Sequence, residues 1–147
     1  MKTVNKSVLI WYLPEEMYAL VTDIAAYPKF LPWCDRAKVL AVDESGMTAE
    51  IGIAFGGVHQ SFTTRNIHTP NRSVAVQLVK GPFSRLDGLW NFLPLGDGTQ
   101  RACRVELVLN YGFDNVALSA LVGPVFDWIA GSLVDAFVKR AEHVYGK

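Results

Sequence analysis

Three histidines, two cysteines and one arginine set in an apolar stripe are the residues of this 147-residue chain whose chemistry needs explaining. His59 and His68 fall nine positions apart on one predicted strand, so their side chains leave opposite faces and cannot share a metal. His143 stands alone near the end, and each histidine reads as a surface or satisfied polar residue. Cys34 and Cys103 form no Cys-x-x-Cys, which argues against zinc and against a secreted disulfide framework. Cys34 follows Trp33, and Arg36 stands close enough in sequence to activate a thiol. The simpler reading is a small buried hydrophobe. Gly-x-Ser-x-Gly, a Gly-rich phosphate loop and His-Glu-x-x-His are all missing. Glu15-Glu16 opens a helix and Asp43-Glu44 sits in a turn, so neither pair needs a catalytic explanation. The expectation is a protein that is not an enzyme, with no catalytic and no metal residue.

The aromatic residues Phe30, Trp33, Phe55, Phe62, Trp90, Phe92, Phe126 and Phe137 are the other conspicuous set. Core packing accounts for most of them. A bent sheet closed by one helix is hard to fill completely, and cavities between such layers take small molecules. Val125, Phe126, Ile129 and Leu133 are expected to line the inner side of the last helix, with Trp90 and Phe92 facing them from the sheet. Phe30, Trp33, Phe62, Leu107 and Arg140 complete the candidate ligand-binding set. Arg140 falls in the centre of the helix's apolar stripe and has two readings. Its stem packs while the guanidinium reaches water, or it faces a cavity or groove and meets a polar ligand group or a buried acid.

These residues must be positioned by recognisable elements. Val4, Lys6, Val8 and Ile10 alternate over a strand at 2–10. Pro14, Glu15 and Glu16 start a helix carrying Met17, Leu20, Val21 and Ile24. Pro28 stops it, and the two prolines between Tyr27 and Cys34 allow little more than one further turn. From Lys38 to Phe113 the chain reads as successive antiparallel strands, the first at Val39–Val42. Turns fall at 43–46, Gly56-Gly57, 69–72, Gly81-Pro82 and Gly96-Asp97-Gly98. The clearest strand carries Cys103, Val105, Leu107, Leu109 and Tyr111 on one face.

The last helix begins near Asp114 or Asn115 and ends at Gly146. Its stripe is read as Leu121, Val122, Val125, Phe126, Ile129, Leu133, Ala136, Phe137 and Val144. Asp127, Gly131, Asp135 and Glu142 lie roughly opposite, and Asp135 and Lys139 have the spacing of an ion pair. Pro124 is expected to kink the helix or split it after Gly123. Residues 115–134 are apolar enough to resemble a membrane span, but Asn115, Ser119, Gly123, Pro124, Asp127 and Ser132 interrupt them. A buried helix is the better reading.

Length suits one domain, 1–147, with a core that stands without metals or disulfides. The formal net charge is zero, so charge does not announce nucleic acid, and DNA is not an expected partner. Lys29, Arg36 and Lys38, and then Lys139, Arg140 and His143, still group locally. The polar N-terminus lacks the apolar core of a signal peptide, which predicts a cytoplasmic protein.

The order strand, two helices, six strands, long helix resembles the α+β helix-grip superfamily, also called START-like or birch-pollen-allergen-like. Within it, Tyr27-Pro28-Lys29-Phe30-Leu31-Pro32-Trp33-Cys34 and Phe137-Val138-Lys139-Arg140-Ala141 running to Tyr145-Gly146 are similar to the polyketide-cyclase-like branch. That branch holds the coenzyme-Q-binding proteins and the bacterial ribosome-association toxins. The resemblance covers essentially the whole chain. It implies a curved antiparallel sheet of about seven strands gripping the last helix. It implies a hydrophobic small molecule as partner, a bound ubiquinone or other isoprenoid lipid, with no required cofactor. Respiration or quinone metabolism and peripheral contact with the inner membrane go with that role, which is the leading expectation. The alternative role is binding the large ribosomal subunit and blocking subunit association. A cyclase or hydrolase acting in the cavity comes third.

Overall fold

The alternating segments of the chain pair with one another as strands. In the computed structural model, which describes residues 2–97 and 99–146, seven strands form one antiparallel sheet. They are β1 (Lys2–Ile10), β2 (Cys34–Asp43), β3 (Gly46–Phe55), β4 (Val58–Thr69), β5 (Ser73–Lys80), β6 (Phe83–Pro94) and β7 (Cys103–Phe113). The expected Gly96-Asp97-Gly98 turn falls partly outside the described residues, at Gly98.

Strands β2 to β7 follow one another as hairpins, and β1 pairs with β7, giving the order β1-β7-β6-β5-β4-β3-β2. Consecutive β1 and β2 therefore sit on opposite edges. The chain must cross beneath the sheet between them, and the helix α1 (Pro14–Thr22) and a 3-10 segment (Ile24–Lys29) make that crossing. Ile24 belongs to the 3-10 segment rather than to α1, and Pro28 lies inside it. Register shifts at Cys34/Arg36, Val39/Ala41, Thr63/Thr64 and Phe83/Arg85 bend the strands around the last helix.

Strand β2 starts at Cys34, earlier than the expected Val39, because Cys34 pairs with Ile53 directly after Trp33. As an edge strand it is mostly exposed, so its alternation is weak in the sequence.

The helix α2 (Val116–Tyr145) runs unbroken for 30 residues. The Asn115 side chain accepts from the Leu118 N–H at 2.8 Å and caps it. Pro124 does not split the helix. Ala120 and Pro124 are both exposed, so the carbonyl left without an N–H partner is hydrated. Length and composition alone would let α2 cross a membrane. Here it buries Val122, Phe126, Ile129, Ala130, Val134, Phe137 and Ala141 against the sheet.

Two stripe assignments fail: Leu121 is 60% and Val144 46% exposed. At 100° per residue Leu121 lies about 140° around from Phe126, and Val144 sits in the last turn of the helix. Asp127 is not on the water face either. It accepts from Tyr111 Oη at 2.6 Å on β7 and from Lys2 Nζ on β1. Burial alone would raise the Asp127 pKa, but the Lys2 and Tyr111 donors hold it below the usual carboxylate range.

The two helix ends are tied together beside β7. Leu13, the residue before α1, has no side-chain acceptor, so only half a capping box forms: Glu16 Oε1 accepts the Leu13 N–H at 2.8 Å. Arg101 grips the same carboxylate with two bonds of 2.9 and 2.7 Å, and its hydrogen bonding lowers the Glu16 pKa. Tyr145 from the end of α2 donates to the Glu16 carbonyl at 2.8 Å, and Tyr12 donates to the Gly146 carbonyl.

Candidate functional site

Sheet, 3-10 segment and α2 meet around an internal cavity of about 110 Å³. Of the expected residues, Trp33, Phe62, Trp90, Leu107, Phe126, Ile129 and Leu133 line it. Trp90 pairs with Leu107 across β6 and β7, and Phe62 pairs with Ile51 across β4 and β3, which sets these side chains on the concave face. Gly88 lines the cavity as well. A Cβ there would lie 3.0 Å from Leu109 Cδ1, so a side chain at that position would push the Leu109 methyl aside.

Four expected residues lie elsewhere. Phe92 is fully buried in a second cluster under α1, stacked near Trp90 and met edge-on by Tyr18. Its inward parity is right, but α1 covers that end of β6. Val125 stands about 100° from Phe126 on the helix, beside the Gly56 turn rather than the cavity. Phe30 and Arg140 line a second, outer groove of about 560 Å³, between the 29–33 segment and α2. Trp33 lines both cavities, and Phe137 lines the inner one while its ring meets Phe30 at 5.2 Å.

The inner cavity also has residues outside the candidate set: Phe137, which the aromatic pattern assigns to the core, Tyr27 and, above all, Thr64 and Asn66. Thr64 Oγ1 donates to Asn66 Oδ1 at 2.9 Å, and both residues are buried. No described residue accepts from the Asn66 amide nitrogen. A legible signal was available. Thr64 and Asn66 share the parity of Phe62, so two polar residues stand where an inward strand face should be apolar. The cavity is thus a mostly apolar chamber whose strand wall carries the Thr64–Asn66 pair.

Acid–base chemistry finds few groups here. No acid, histidine or cysteine lines the cavity among the described residues. Tyr27 Oη donates to the Val21 carbonyl, and burial pushes its pKa up. His68 packs against the edge of Tyr18, and burial, then the Arg65 charge, holds its pKa below the ordinary value. Among the described residues no group of three His, Cys, Asp or Glu side chains could hold a metal.

Arg36 does not activate Cys34, because its guanidinium pairs with Glu50. Burial pushes the Cys34 and Cys103 thiols up to about 11, so both stay protonated at neutral pH. Maleimide labelling at pH 7.5 is expected to be slow at both cysteines in the native protein and rapid for both in denaturant. Fast native labelling of Cys34 would restore it as a nucleophile.

The outer groove is different in kind. Its floor is the α2 face carrying Trp128, Ser132, Asp135, Ala136, Lys139, Arg140 and His143, and its wall is Lys29, Phe30, Pro32 and Trp33. The Arg140 guanidinium carbon lies 5.0 Å from the Phe30 ring centroid, a cation–π contact. Its Nε is buried without a hydrogen-bond partner. Arg140 thus lines a groove with its guanidinium against Phe30, and no buried acid among the described residues meets it. The expected Asp135–Lys139 ion pair does not form among the described residues.

Residues 10–138 match the family described as polyketide cyclase / dehydrase and lipid transport. The chain is 40% identical over 143 residues to the ribosome association toxin RatA of Pseudomonas aeruginosa, covering 97% of each protein. It is 28% identical over 144 residues to the mitochondrial coenzyme Q-binding protein COQ10 homolog B of Xenopus laevis, covering 97% of this chain and 59% of the relative. A START superfamily protein from Mycobacterium smegmatis superposes with a TM-score of 0.80 at 20% identity, over 97% of this chain and 98% of that one. The Zhui aromatase/cyclase of a Streptomyces species does so at 0.78 and 15% identity, over 96% and 93%. At such identities the two structures speak for the fold, the START-like helix grip that the sequence pattern led one to expect. With a family match over residues 10–138 and a relative 40% identical along 97% of both proteins, this chain belongs to the polyketide cyclase / dehydrase and lipid transport family.

Proposed function

We propose that this protein associates with the large ribosomal subunit and blocks subunit joining, as a non-catalytic regulator in the cytoplasm. The observation that carries this reading is likeness to a ribosome association toxin at 40% identity along 97% of both chains. The geometry agrees on one point. Ligand pockets occupy roughly 300–1,000 Å³, and the inner cavity, at about 110 Å³, is too small for a ubiquinone with its isoprenoid tail.

Sedimentation through sucrose gradients tests the reading. Purified protein added to ribosomes is expected to travel with the large subunit and to deplete joined particles. Protein that stays at the top of the gradient, with joined particles intact, would end it.

A second reading is favoured by the buried Asn66 amide, which no described residue satisfies. A compact, largely apolar molecule such as a quinone ring could place one of its carbonyl oxygens on that amide if the chamber expanded around it. Solvent extraction of the purified protein followed by mass spectrometry, and titration with short-chain ubiquinone analogues, examine it. An empty protein that ignores every analogue removes the second reading and leaves the first untouched.

A further inference from the structure

We infer that the outer groove is an RNA-docking surface, in which Lys29, Lys139 and Arg140 hold backbone phosphates and the aromatic end takes an unstacked base. This deepens the ribosome reading and rests on it.

The first support is charge that has no internal use. Lys29, Lys139 and Arg140 line one groove, and Asp135 is the sole carboxylate with them among the lining residues. No ion pair engages any of the three cations among the described residues. Four other arginines, Arg36, Arg65, Arg85 and Arg101, are held by carboxylates. Lys6, Lys38, Arg72, Lys80 and Arg104 have no ion pair either among the described residues, but they lie on four different strands and a turn. The three groove cations instead meet in one place, and a neutral chain attracts RNA only through such a local concentration.

The second support is shape and position. Arg140 is half-buried with an unpartnered Nε, and Phe30 lies under its guanidinium, which preorganises the charge toward the groove. Trp128 stacks on Phe55 at 4.7 Å and is 44% exposed, so it is a rigid, accessible ring in the same groove. Positions 128, 132, 135, 139 and 143 follow one helix face over about 22 Å. A concave track with the exposed Trp128 ring at one end and the cations at the other suits an RNA strand, which offers both bases and phosphates. An anionic lipid surface would ask instead for apolar side chains projecting from a convex face.

The test measures binding of labelled protein to purified large subunits over a range of potassium chloride concentrations. Lys29→Gln, Lys139→Gln and Arg140→Gln are each expected to weaken binding severalfold and to lower the slope of log affinity against log salt by about 0.7–1. The triple variant should lose most of the salt dependence. Arg140→Lys should recover most of what Arg140→Gln loses, and Arg72→Gln, in a turn outside the groove, should bind as the wild type does. Thermal unfolding should stay unchanged for Lys29→Gln and Lys139→Gln, which lose no ion pair among the described residues. Arg140→Gln also loses the Phe30 contact, so Arg140→Lys is its control and circular dichroism must show each variant folded.

If the wild type binds and the triple variant binds equally well with the same salt slope, the groove is overturned and the ribosome reading stands. If the wild type does not bind large subunits, both fall. Vesicles of phosphatidylglycerol and phosphatidylcholine form the remaining arm. Loss of vesicle binding in the groove variants, with subunit binding kept, would assign the groove to a membrane and overturn the RNA inference.

Discussion

Ile129→Asp is expected to leave the protein largely unfolded at neutral pH, while Val125→Asp, four residues away on the same helix, stays folded. Ile129 is 2% exposed and lines the apolar chamber. A carboxylate there loses its water and finds no cation among the lining residues. A penalty of about 3–5 kcal/mol is a large part of the ~5–15 kcal/mol that stabilises a domain. Val125 is half-buried at the flank of α2, so a carboxylate there keeps part of its hydration and costs about 1 kcal/mol.

The pH dependence separates burial of charge from simple misfit. Inside the chamber the new carboxyl's folded pKa is raised above its unfolded value of about 3.9. The penalty is then smallest below that value and grows as pH rises, by about 1.4 kcal/mol per unit, until the folded pKa is reached. Urea denaturation of variant and wild type at each pH, taken as a difference, subtracts the acid sensitivity of Glu16 and Asp127. A difference that does not change between pH 4 and pH 7 would mean the carboxyl has escaped to water.

Most of the scaffold was legible because its signals are local and strong. Alternation at Cys103–Tyr111, the turn glycines at Gly56-Gly57 and the cap at Asn115 each act within a few residues. Seven of eleven candidate ligand residues line the inner cavity for a related reason: inward parity on the central strands and the 3.6-residue period of α2 fix direction. The four misses share another cause. Phe92 has the right parity, yet α1 occupies its end of the sheet. Phe30 and Arg140 have the right segment or helix, yet Phe137 and Trp33 stand between them and the chamber, and Val125 is one helical step from the inward Phe126 and meets the Gly56 turn. Which of two neighbouring voids a side chain faces is decided by packing among residues distant in sequence. The unbroken passage of α2 through Pro124 is similar, since it depends on Ala120 facing water.

Phe137 lines the inner chamber and packs against Phe30 of the outer groove, and Phe137→Ala is expected to cost about 3–5 kcal/mol of stability. It is 1% exposed, and its ring meets Tyr27 at 5.5 Å, Phe30 at 5.2 Å and Trp90 at 5.3 Å, all near edge-on. Truncation removes these contacts and enlarges the inner chamber beyond its present 110 Å³. An engineered apolar cavity of roughly 150 Å³ binds benzene, so benzene should raise the melting temperature of the variant and leave the wild type unmoved. The same truncation withdraws support from Phe30, on which the Arg140 guanidinium rests. Binding to large subunits should therefore weaken in Phe137→Ala even where the protein remains folded, and Phe137→Leu should fall between the two. A variant that loses stability, gains benzene and keeps full subunit binding would show that chamber and groove are independent. Weakened subunit binding restored by benzene would make the filled chamber the support of the groove, and would join the two expectations drawn from the sequence in one packing event.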